Sequence, residues 1–342
     1  MGQNIIGLLS SDRNYKEIIV QMYNLKISFI IPCYNAEPYI QGCIESIHPI
    51  VPYEIIVVND GSTDRTSQMV HELMSHYNNI VFIEKENEGV NAARRDGWRI
   101  AQGEYVCFVD ADDTIESDSA IWKQLDKNYD ILKAGGHYIS NGNRILYTNS
   151  YVGEIQDAES AYTLMLDSHL LPFIHSAIYR KDTIDNDCFD IPSRFKIGED
   201  LLFNIKLMGK AKRMCSVNDA FYYYNMNDTS VMHTKVWGFH YIQAFNDELS
   251  KQILKYTPRL EKKVIVHRFL DYTGTLLFPE VKYKHEYYIA IQSLLQQYPW
   301  VKSYAPQKHI RFINCEYGYR FYLSLFHFVQ NIRGKGKRKL ID

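Results

Sequence analysis

The amino-acid sequence predicts an α/β fold, a mostly parallel sheet with helices on both faces, followed by a mainly helical C-terminal region. In the first half of the 342 residues, short apolar runs alternate with segments long enough to form helices. Each run is hydrophobic almost throughout, as is typical of strands that are buried on both faces. Strands joined through helices form parallel pairs, so this alternation favours a parallel sheet.

Four strands and three helices are predicted before residue 115. The first helix begins near Pro38, because the N–H that proline lacks has no partner in the first turn of a helix. The second helix carries Met69, Val70, Leu73 and Met74 on one face, which is the spacing of an amphipathic helix. In chain order the elements are strand 26–31, the helix from Pro38, strand 53–58, the helix around 69–77, strand 79–83, the helix over about 90–101, and strand 104–109.

Beyond residue 131 the pattern is less regular. HYISNGNRILYT predicts a hairpin that turns at Asn141-Gly142, a dipeptide favoured in tight turns. After about residue 235 the chain is aromatic-rich and mostly helical in period, and it ends in a basic segment. The other predicted elements are helices over 158–167 and 200–210 and a strand over 221–224.

Composition narrows the classes of protein. A net charge of −2 argues against a general nucleic-acid binder, which needs a broad positive field. The six cysteines are scattered without a CxxC pair, which indicates buried thiols in a reducing compartment. No stretch has the pattern of a transmembrane helix or a secretory signal, which indicates a cytoplasmic protein. Residues 1–25 are interpreted as an N-terminal extension, because the first strand starts naturally after them.

Polar side chains follow each of the four strands at the point where the strand ends. The carboxyl ends of parallel strands meet at one edge of a sheet, where α/β proteins bind their ligands. Carboxylates that lie close together repel one another, and a hard divalent cation such as Mg²⁺ or Mn²⁺ relieves that repulsion. The alternative is a solvated acidic loop. The four groups are Tyr34-Asn35, Asn59-Asp60-Gly61-Ser62, Glu86-Asn87 and Asp110-Ala111-Asp112-Asp113.

Four segments resemble the inverting glycosyltransferases of family 2 in sequence, order and spacing. They are FIIPCYNAEPYI, EIIVVNDGSTDRT, ENEGVNAARRDGWRIAQGEYVCFVDADD and GEDLLFN. The resemblance covers about residues 26–233 and implies the GT-A fold, with a Rossmann-like sheet. It also implies a nucleotide-binding half over about 26–115 and an acceptor half over about 116–233. Residues 234–342 are then a mainly helical region with a basic tail.

The resemblance implies a set of residues that bind the nucleotide of the donor. Asp60 would contact a uracil base, although an acid in DGS also suits an Asx turn. Tyr34 would stack on the base, or pack locally. An arginine would offset the charge of the diphosphate, and because ARRDG has Arg95 where the family has Asn, it stays open which arginine faces the ligand. An exposed helical arginine is the alternative. The full set is Pro32, Tyr34, Asp60, Gly89, Arg94 and Asp110.

A divalent cation, Mn²⁺ or Mg²⁺, is also implied by the resemblance. Asp110 and Asp112 match the DxD pair of the family, which coordinates the metal that holds the phosphates of the donor. His233 matches a late histidine that can complete the coordination. That match is looser, because Asn225 stands where the family has an arginine.

Two adjacent acids are candidates for the catalytic base. Asp200 matches the position of the family's base, and Glu199 is the second candidate. A general base must accept the proton of the acceptor hydroxyl as that hydroxyl attacks the sugar. Adjacent acids at the start of a helix also stabilise the helix dipole without any catalytic role.

The implied function is transfer, with inversion, of a sugar from a nucleotide-sugar to a hydroxyl of a glycan or lipid-linked acceptor, with a UDP-sugar favoured as donor. The C-terminal segment GYRFYLSLFHFVQNIRGKGKRK indicates either peripheral contact with an anionic membrane surface or a packed terminal helix. A non-catalytic relative that binds sugar or protein is one alternative. A sugar nucleotidyltransferase is another, but IIPCYNAEPYI lacks the glycine-rich basic loop that such an enzyme needs.

Overall fold

A computed structural model describes residues 26–140, 142–195, 198–226, 239–276 and 284–304. The predicted N-terminal extension, His233 and the basic C-terminal tail lie outside these ranges. The chain divides into two compact units, 1–226 and 227–342.

The described part of the first unit contains ten strands, six α-helices and two 3₁₀ helices, the latter over Ala120–Lys127 and Lys181–Thr183. The strands are β1 (Ile27–Cys33), β2 (Tyr53–Asp60), β3 (Ile80–Lys85), β4 (Tyr105–Phe108), β5 (Thr114–Ile115), β6 (Ile131–Ser140), β7 (Asn143–Tyr147), β8 (Gly153–Ile155), β9 (Ala177–Arg180) and β10 (Met214–Asn225). The helices are α1 (Ile40–Glu45), α2 (Thr66–Met74), α3 (Val90–Ile100), α4 (Ala158–Leu166), α5 (Asn186–Phe189) and α6 (Glu199–Met208).

All ten strands belong to one sheet, whose main path runs β3-β2-β1-β4-β9-β6-β10-β5. The first four strands pair in parallel, which confirms the predicted parallel sheet for residues 27–108. Strand β9 then pairs antiparallel with both β4 and β6, while β10 runs parallel to β6 and antiparallel to β5 and β8. The complete sheet is therefore mixed, because β5, β7, β8 and β9 run opposite to β1–β4, whereas β6 and β10 run in the same direction as β1–β4.

The predicted elements of the second half are present. Strands β6 and β7 form the hairpin, and Gly142 at its turn has φ +76°, a conformation that side chains disfavour. Helices α4 and α6 cover most of the two segments with helical spacing, and FYYY lies within β10. The mixed α/β fold with a large central sheet is confirmed.

The packing of α3 on the sheet explains one glycine in the ARRDG segment. Strand β1 is buried along its whole length, as its hydrophobic sequence predicts. Helix α3 lies against β1 and β2 at Gly97, where an added Cβ would be 2.5 Å from Cγ2 of Ile30 and 3.2 Å from Cγ2 of Val58. The missing side chain thus sets the distance between α3 and the sheet, and so the position of the other residues on α3.

The second unit is helical over its described residues. It contains α7 (Phe239–Tyr256), α8 (Glu261–Leu276), α9 (Lys284–Gln297) and a 3₁₀ helix over Pro299–Tyr304. Phe269, Tyr287, Ile291, Leu295 and Val301 are members of its own buried cluster. Across the described ranges, no helix is long and apolar enough to cross a membrane.

We expect Gly97→Ala to lower the free energy of unfolding by about 1–3 kcal/mol, because the new methyl overpacks the fully buried Ile30. Gly42→Ala in α1 is the control, since an added Cβ there has nothing within 4 Å. It should raise the free energy of unfolding by about 0.5–1 kcal/mol, the gain of a helical Gly→Ala change. Urea denaturation of both variants measures the contrast, and equal effects would contradict the assigned packing.

Candidate active site

The loops that follow β1 and β2 brace one another at the edge of the sheet. Asn35 Oδ1 accepts a hydrogen bond from the Thr63 N–H at 2.8 Å, and the Asn35 N–H donates to Ser62 Oγ at 2.9 Å. The Ala36 N–H donates to Thr66 Oγ1 at 2.8 Å. The segment NDGSTDRT therefore fixes the loop that carries the first predicted site residues.

Asp60 is almost fully buried and holds the start of α3. Its Oδ1 accepts the Glu88 N–H at 2.9 Å, and its Oδ2 accepts the Gly89 N–H at 2.7 Å. Gly89 has φ +95° at the N-cap of α3, which explains why glycine stands there. Asp60 therefore has a structural role that the sequence did not suggest. Contact between Asp60 and a nucleotide base stays a prediction. Each carboxylate oxygen of Asp60 still has a second lone pair with which it can accept a hydrogen bond from the base.

Pro32 and Tyr34 differ in exposure. Pro32 is buried within β1, where it pairs with Val58 of β2. The side chain of Tyr34 lies just beyond the strand and is 53% exposed. Tyr34 is therefore free of tight packing and its ring is accessible from solvent, as stacking on a base requires.

Arg94 lies at the centre of the site. Only 3% of the residue is exposed, and its guanidinium joins two carboxylates from distant parts of the chain. Nη2 lies 2.8 Å from Asp110 Oδ1 at the end of β4, and Nη1 lies 3.0 Å from Asp200 Oδ1 at the start of α6. The alternative of an exposed helical arginine is thus wrong. Arg95 points outward instead, towards Asp96 and Glu88.

Arg94, Asp110 and Asp200 form a triad of charged groups in which the cation contacts both carboxylates. Burial opposes the charge of Arg94, but Asp110 and Asp200 more than offset that effect and raise the pKa of the guanidinium. Burial also disfavours the charged form of Asp110, yet the neighbouring Arg94 lowers the pKa of this carboxyl. Nε of Arg94 has no hydrogen-bond partner within the described ranges. Arg94 and Asp110 therefore each favour the charged form of the other, and one donor of the guanidinium remains unused.

Strand β10 closes the acidic loop after β4. Asp113 is buried and accepts hydrogen bonds from Tyr222 Oη at 2.7 Å and from the Asn225 N–H at 2.8 Å. Asn225 Nδ2 also donates to the carbonyl of Asp112 at 2.7 Å. Burial and then the charges of Asp110 and Asp112 raise the pKa of Asp113 well above its usual range. Asn225, which replaces an arginine expected from the resemblance, thus positions the acidic loop.

Asp110 and Asp112 fit a divalent cation by their chemistry. Both carboxylates are only partly buried, and their negative charges contribute to the raised pKa of Asp113. Hard cations prefer such oxygen ligands. Among the residues that the structure describes, no cluster of three or more His, Cys, Asp or Glu side chains could hold a metal ion. His233, the third predicted ligand, lies outside those residues.

Asp200 and Glu199 form the first turn of α6, where the helix dipole favours negative charge. Asp200 is held on both oxygens, since Oδ2 accepts the Ile174 N–H at 3.1 Å while Oδ1 binds Arg94. Glu199 differs, because burial and then the nearby charge of Asp200 raise its pKa to about 7. The two acids therefore stand in distinct electrostatic environments.

A buried polar layer beside Asp200 was missed by sequence reasoning. Nζ of Lys133 donates to the Phe173 carbonyl at 2.7 Å and to Asn204 Oδ1 at 3.1 Å, and burial lowers its pKa to about 7. His175 stacks on Tyr222 with ring centroids 4.6 Å apart. A lysine inside the apolar run ILKAGG was the one local signal, and no motif includes His175.

The chain is similar to known proteins over most of this unit. The sequence model described as Glycosyl transferase family 2 matches residues 28–189. Glycosyltransferase GlyA of Streptococcus pneumoniae is 30% identical over 260 residues, which are 71% of this chain and 37% of that protein. The poly(ribitol-phosphate) beta-glucosyltransferase of Bacillus spizizenii is 31% identical over 58% of this chain and 32% of its own length. The chain thus spans about a third of the length of these two relatives.

The fold is also found among solved structures. A crystal structure of residues 1–349 of S. aureus TarS in complex with UDP-GlcNAc superimposes with a TM-score of 0.66 at 23% identity. The match covers 92% of this chain and 93% of that structure. At this level of identity the likeness establishes the fold.

Arg94→Gln should lower the free energy of unfolding by about 3–5 kcal/mol, because removing the shared cation leaves two carboxylates without compensation. Arg95→Gln, one residue along the same helix, should change the free energy of unfolding by less than about 1 kcal/mol, since its ion pairs are partly exposed and such pairs near the surface contribute little. Chemical denaturation at neutral pH measures both variants. A loss at Arg94 no larger than at Arg95 would show that the triad does not stabilise the fold.

Glu199→Gln should change how stability depends on pH. Because the folded-state pKa of Glu199 is raised to about 7, the folded protein binds this proton more tightly than the unfolded chain does. The wild-type protein therefore loses stability as the pH rises from about 4.5 through about 7. At pH 8 the variant should be more stable than wild type by on the order of 1–3 kcal/mol, with little difference at pH 4.

Denaturation curves between pH 4 and 8 test this expectation. The exposed Glu72→Gln variant is the control and should follow the wild-type pH dependence. Parallel curves for wild type and Glu199→Gln would contradict a raised pKa at this residue.

Proposed function

We propose that this chain, whose residues 28–189 constitute a glycosyltransferase family 2 domain, is an inverting glycosyltransferase that uses a nucleotide-sugar donor. The observation that carries the proposal is the Arg94 bridge, which places the DxD-like carboxylate Asp110 next to the base candidate Asp200. Transfer requires a leaving diphosphate and an attacking hydroxyl on opposite sides of one carbon atom. The bridge holds Asp110, the carboxylate proposed for the diphosphate side, and Asp200, the carboxylate proposed for the hydroxyl, within one site.

The proposed donor is a UDP-sugar. TarS, which shares the fold, has been crystallised with UDP and with UDP-GlcNAc. At the carboxyl edge of the parallel strands, Tyr34 and the loop held by Asp60 are candidates to receive the base, and Pro32 and Gly89 shape the backbone around them. Glucose, galactose and their N-acetyl forms all remain candidates for the sugar.

The residues proposed to hold a divalent cation, Mn²⁺ or Mg²⁺, are Asp110 and Asp112, with His233 as a further ligand. When bound there, such a cation would offset the negative charge of the departing nucleoside diphosphate. Arg94 contributes positive charge from the protein side, because its guanidinium contacts Asp110 directly.

The proposed reaction is a single displacement. Asp200 takes the proton of the acceptor hydroxyl, whose oxygen attacks C1 of the α-linked sugar as the bond from C1 to the diphosphate breaks. The electron pair of that bond leaves with the nucleoside diphosphate, and the product is β-linked. Arg94 and the Ile174 N–H fix the carboxylate of Asp200 for this step. Glu199 is the alternative base, favoured by its pKa of about 7, which is close to the pH at which a base works best.

The proposed acceptor is a hydroxyl of a glycan or of a lipid-linked intermediate. Two relatives are named poly(ribitol-phosphate) beta-glucosyltransferase and poly(ribitol-phosphate) beta-N-acetylglucosaminyltransferase, which supports a polymer with free hydroxyls as the acceptor. Action at the cytosolic face of a membrane, with contact through the basic C-terminal segment, is part of the same proposal.

Calorimetry with UDP, GDP, CDP and dTDP, each with and without Mn²⁺, tests the donor site. We expect UDP to bind in a metal-dependent way, and Asp112→Asn to weaken that binding by at least about tenfold. Asp118→Asn, an exposed acid on the same segment, is the control and should bind like wild type. Absence of binding by every nucleotide would favour the non-catalytic alternative.

Turnover and UDP affinity of variants at the two acids test which of them is the catalytic base. Asp200→Asn should bind UDP within about twofold of wild type but lower turnover by about 10²–10⁴-fold. If Glu199→Gln shows that loss instead and Asp200→Asn keeps its turnover, the roles of the two acids are exchanged.

A further inference from the structure

His175 is a buried histidine in the segment before β9. It is 5% exposed, and its ring lies between two aromatic rings. The centroid of Phe173 is 4.7 Å away with an interplanar angle of 14°, and that of Tyr222 is 4.6 Å away with an angle of 19°. These two stacks fix the plane of the imidazole and leave its edge, which carries both nitrogens, to face other groups.

Neither ring nitrogen of His175 has a hydrogen-bond partner within the described ranges. A buried polar group without a partner loses its hydrogen bonds to water and gains none in return, which destabilises the folded protein. A packing role alone would be filled better by an apolar ring of the same size. Burial lowers the pKa of His175 to about 4, so the ring is neutral at physiological pH and offers one donor and one acceptor.

The residue that follows His175 is held by two hydrogen bonds in an uncommon backbone conformation. Ser176 has φ +56°, a conformation that is uncommon for a residue other than glycine. Its carbonyl accepts the Ala134 N–H at 2.9 Å, and its hydroxyl lies 2.8 Å from Tyr147 Oη. The chain therefore enters β9 along one fixed path, and His175 keeps its position without contributing a hydrogen bond of its own.

The ring of His175 lies near both carboxylates that the proposed reaction uses, Asp110 and Asp200. The charges of Asp110 and Asp200 both act on His175, and the residue before it, Ile174, donates its N–H to Asp200. Tyr222, on which the ring stacks, accepts the Asp110 N–H at 3.1 Å. These contacts place His175 near the path of a sugar that passes from a diphosphate at Asp110 to a hydroxyl at Asp200.

We propose that His175 recognises the transferred sugar by forming hydrogen bonds with one or two of its hydroxyl or amide groups. This inference rests on the proposed function, because it takes the donor to be a nucleotide-sugar. The aromatic stack orients the ring, and the two nitrogens select a sugar whose polar groups match them. His175 acts on the sugar alone and makes no contact with the nucleotide.

Calorimetry in the presence of Mn²⁺ separates contacts with the sugar from contacts with the nucleotide. The ligands compared are UDP, UDP-glucose, UDP-galactose, UDP-GlcNAc and UDP-GalNAc. His175→Phe keeps the stacked ring and removes both nitrogens. We expect its affinity for UDP to stay within about twofold of wild type and its affinity for the preferred UDP-sugar to fall by about tenfold. His169→Phe, in the same segment but exposed, is the control and should bind every ligand like wild type.

The outcomes distinguish this inference from the proposed function. If the wild-type protein binds no UDP, the proposed function fails. If it binds UDP and a UDP-sugar, but His175→Phe keeps full affinity for that UDP-sugar, only the role of His175 is overturned. An equal loss of UDP and UDP-sugar affinity would indicate a structural role and would also overturn the inference.

A second variant covers the case in which His175→Phe does not fold. The side chain of His175→Asn retains a donor and an acceptor but is shorter. This variant should therefore lower the affinity for the UDP-sugar by at least about threefold and leave the affinity for UDP unchanged. An unaltered affinity for the UDP-sugar in this variant would overturn the inference equally. Thermal melting of each variant verifies that the protein compared is folded.

Discussion

The site depends on a single buried guanidinium. Arg94 joins the loop after β4 to the start of α6, and without it the partly buried carboxylates of Asp110 and Asp200 would lose the cation that they share. Burying an ion pair costs desolvation energy that only close, well-oriented contacts return. The fold secures those contacts from two sides, because Gly97 seats α3 against the sheet and the Ile174 N–H holds the second oxygen of Asp200.

That arrangement leaves the site rich in acid. Asp112, Asp113 and Glu199 surround the triad, and the pKa values of Asp113 and Glu199 are raised by burial and by the neighbouring charges. Lys133 and His175, which could supply positive charge, have lowered pKa values because both are buried. A diphosphate would add more negative charge to this site. Its binding is therefore expected to require a cation from solution, which is why metal dependence is the sharpest test of the proposed function.

Local pattern was enough to predict the first half of the fold. Strands β1, β2 and β4 are mainly apolar runs that are buried almost throughout, as is typical of the middle of a parallel sheet. Strand β3 is apolar over its first four residues but lies at the edge of the sheet, where only Ile80 is buried. The family resemblance likewise depends on short segments at strand ends, and the match to residues 28–189 confirms it. What the pattern did not predict is the reversal at β9, because antiparallel pairing with β4 and β6 depends on partners that are distant in sequence.

The sequence by itself determined which residues are candidates for the site, since Asp60, Arg94, Asp110 and Asp200 stand in recognisable segments. Only the tertiary structure decided what these side chains contact: Asp60 binds the backbone that begins α3, and Arg94 reaches a carboxylate 106 residues away. His175 has no motif at all and enters the site through its stack on Tyr222. The physical reason is that hydrogen bonds and ion pairs act over a few ångströms of space, and separation along the chain carries no information about them until the chain is folded.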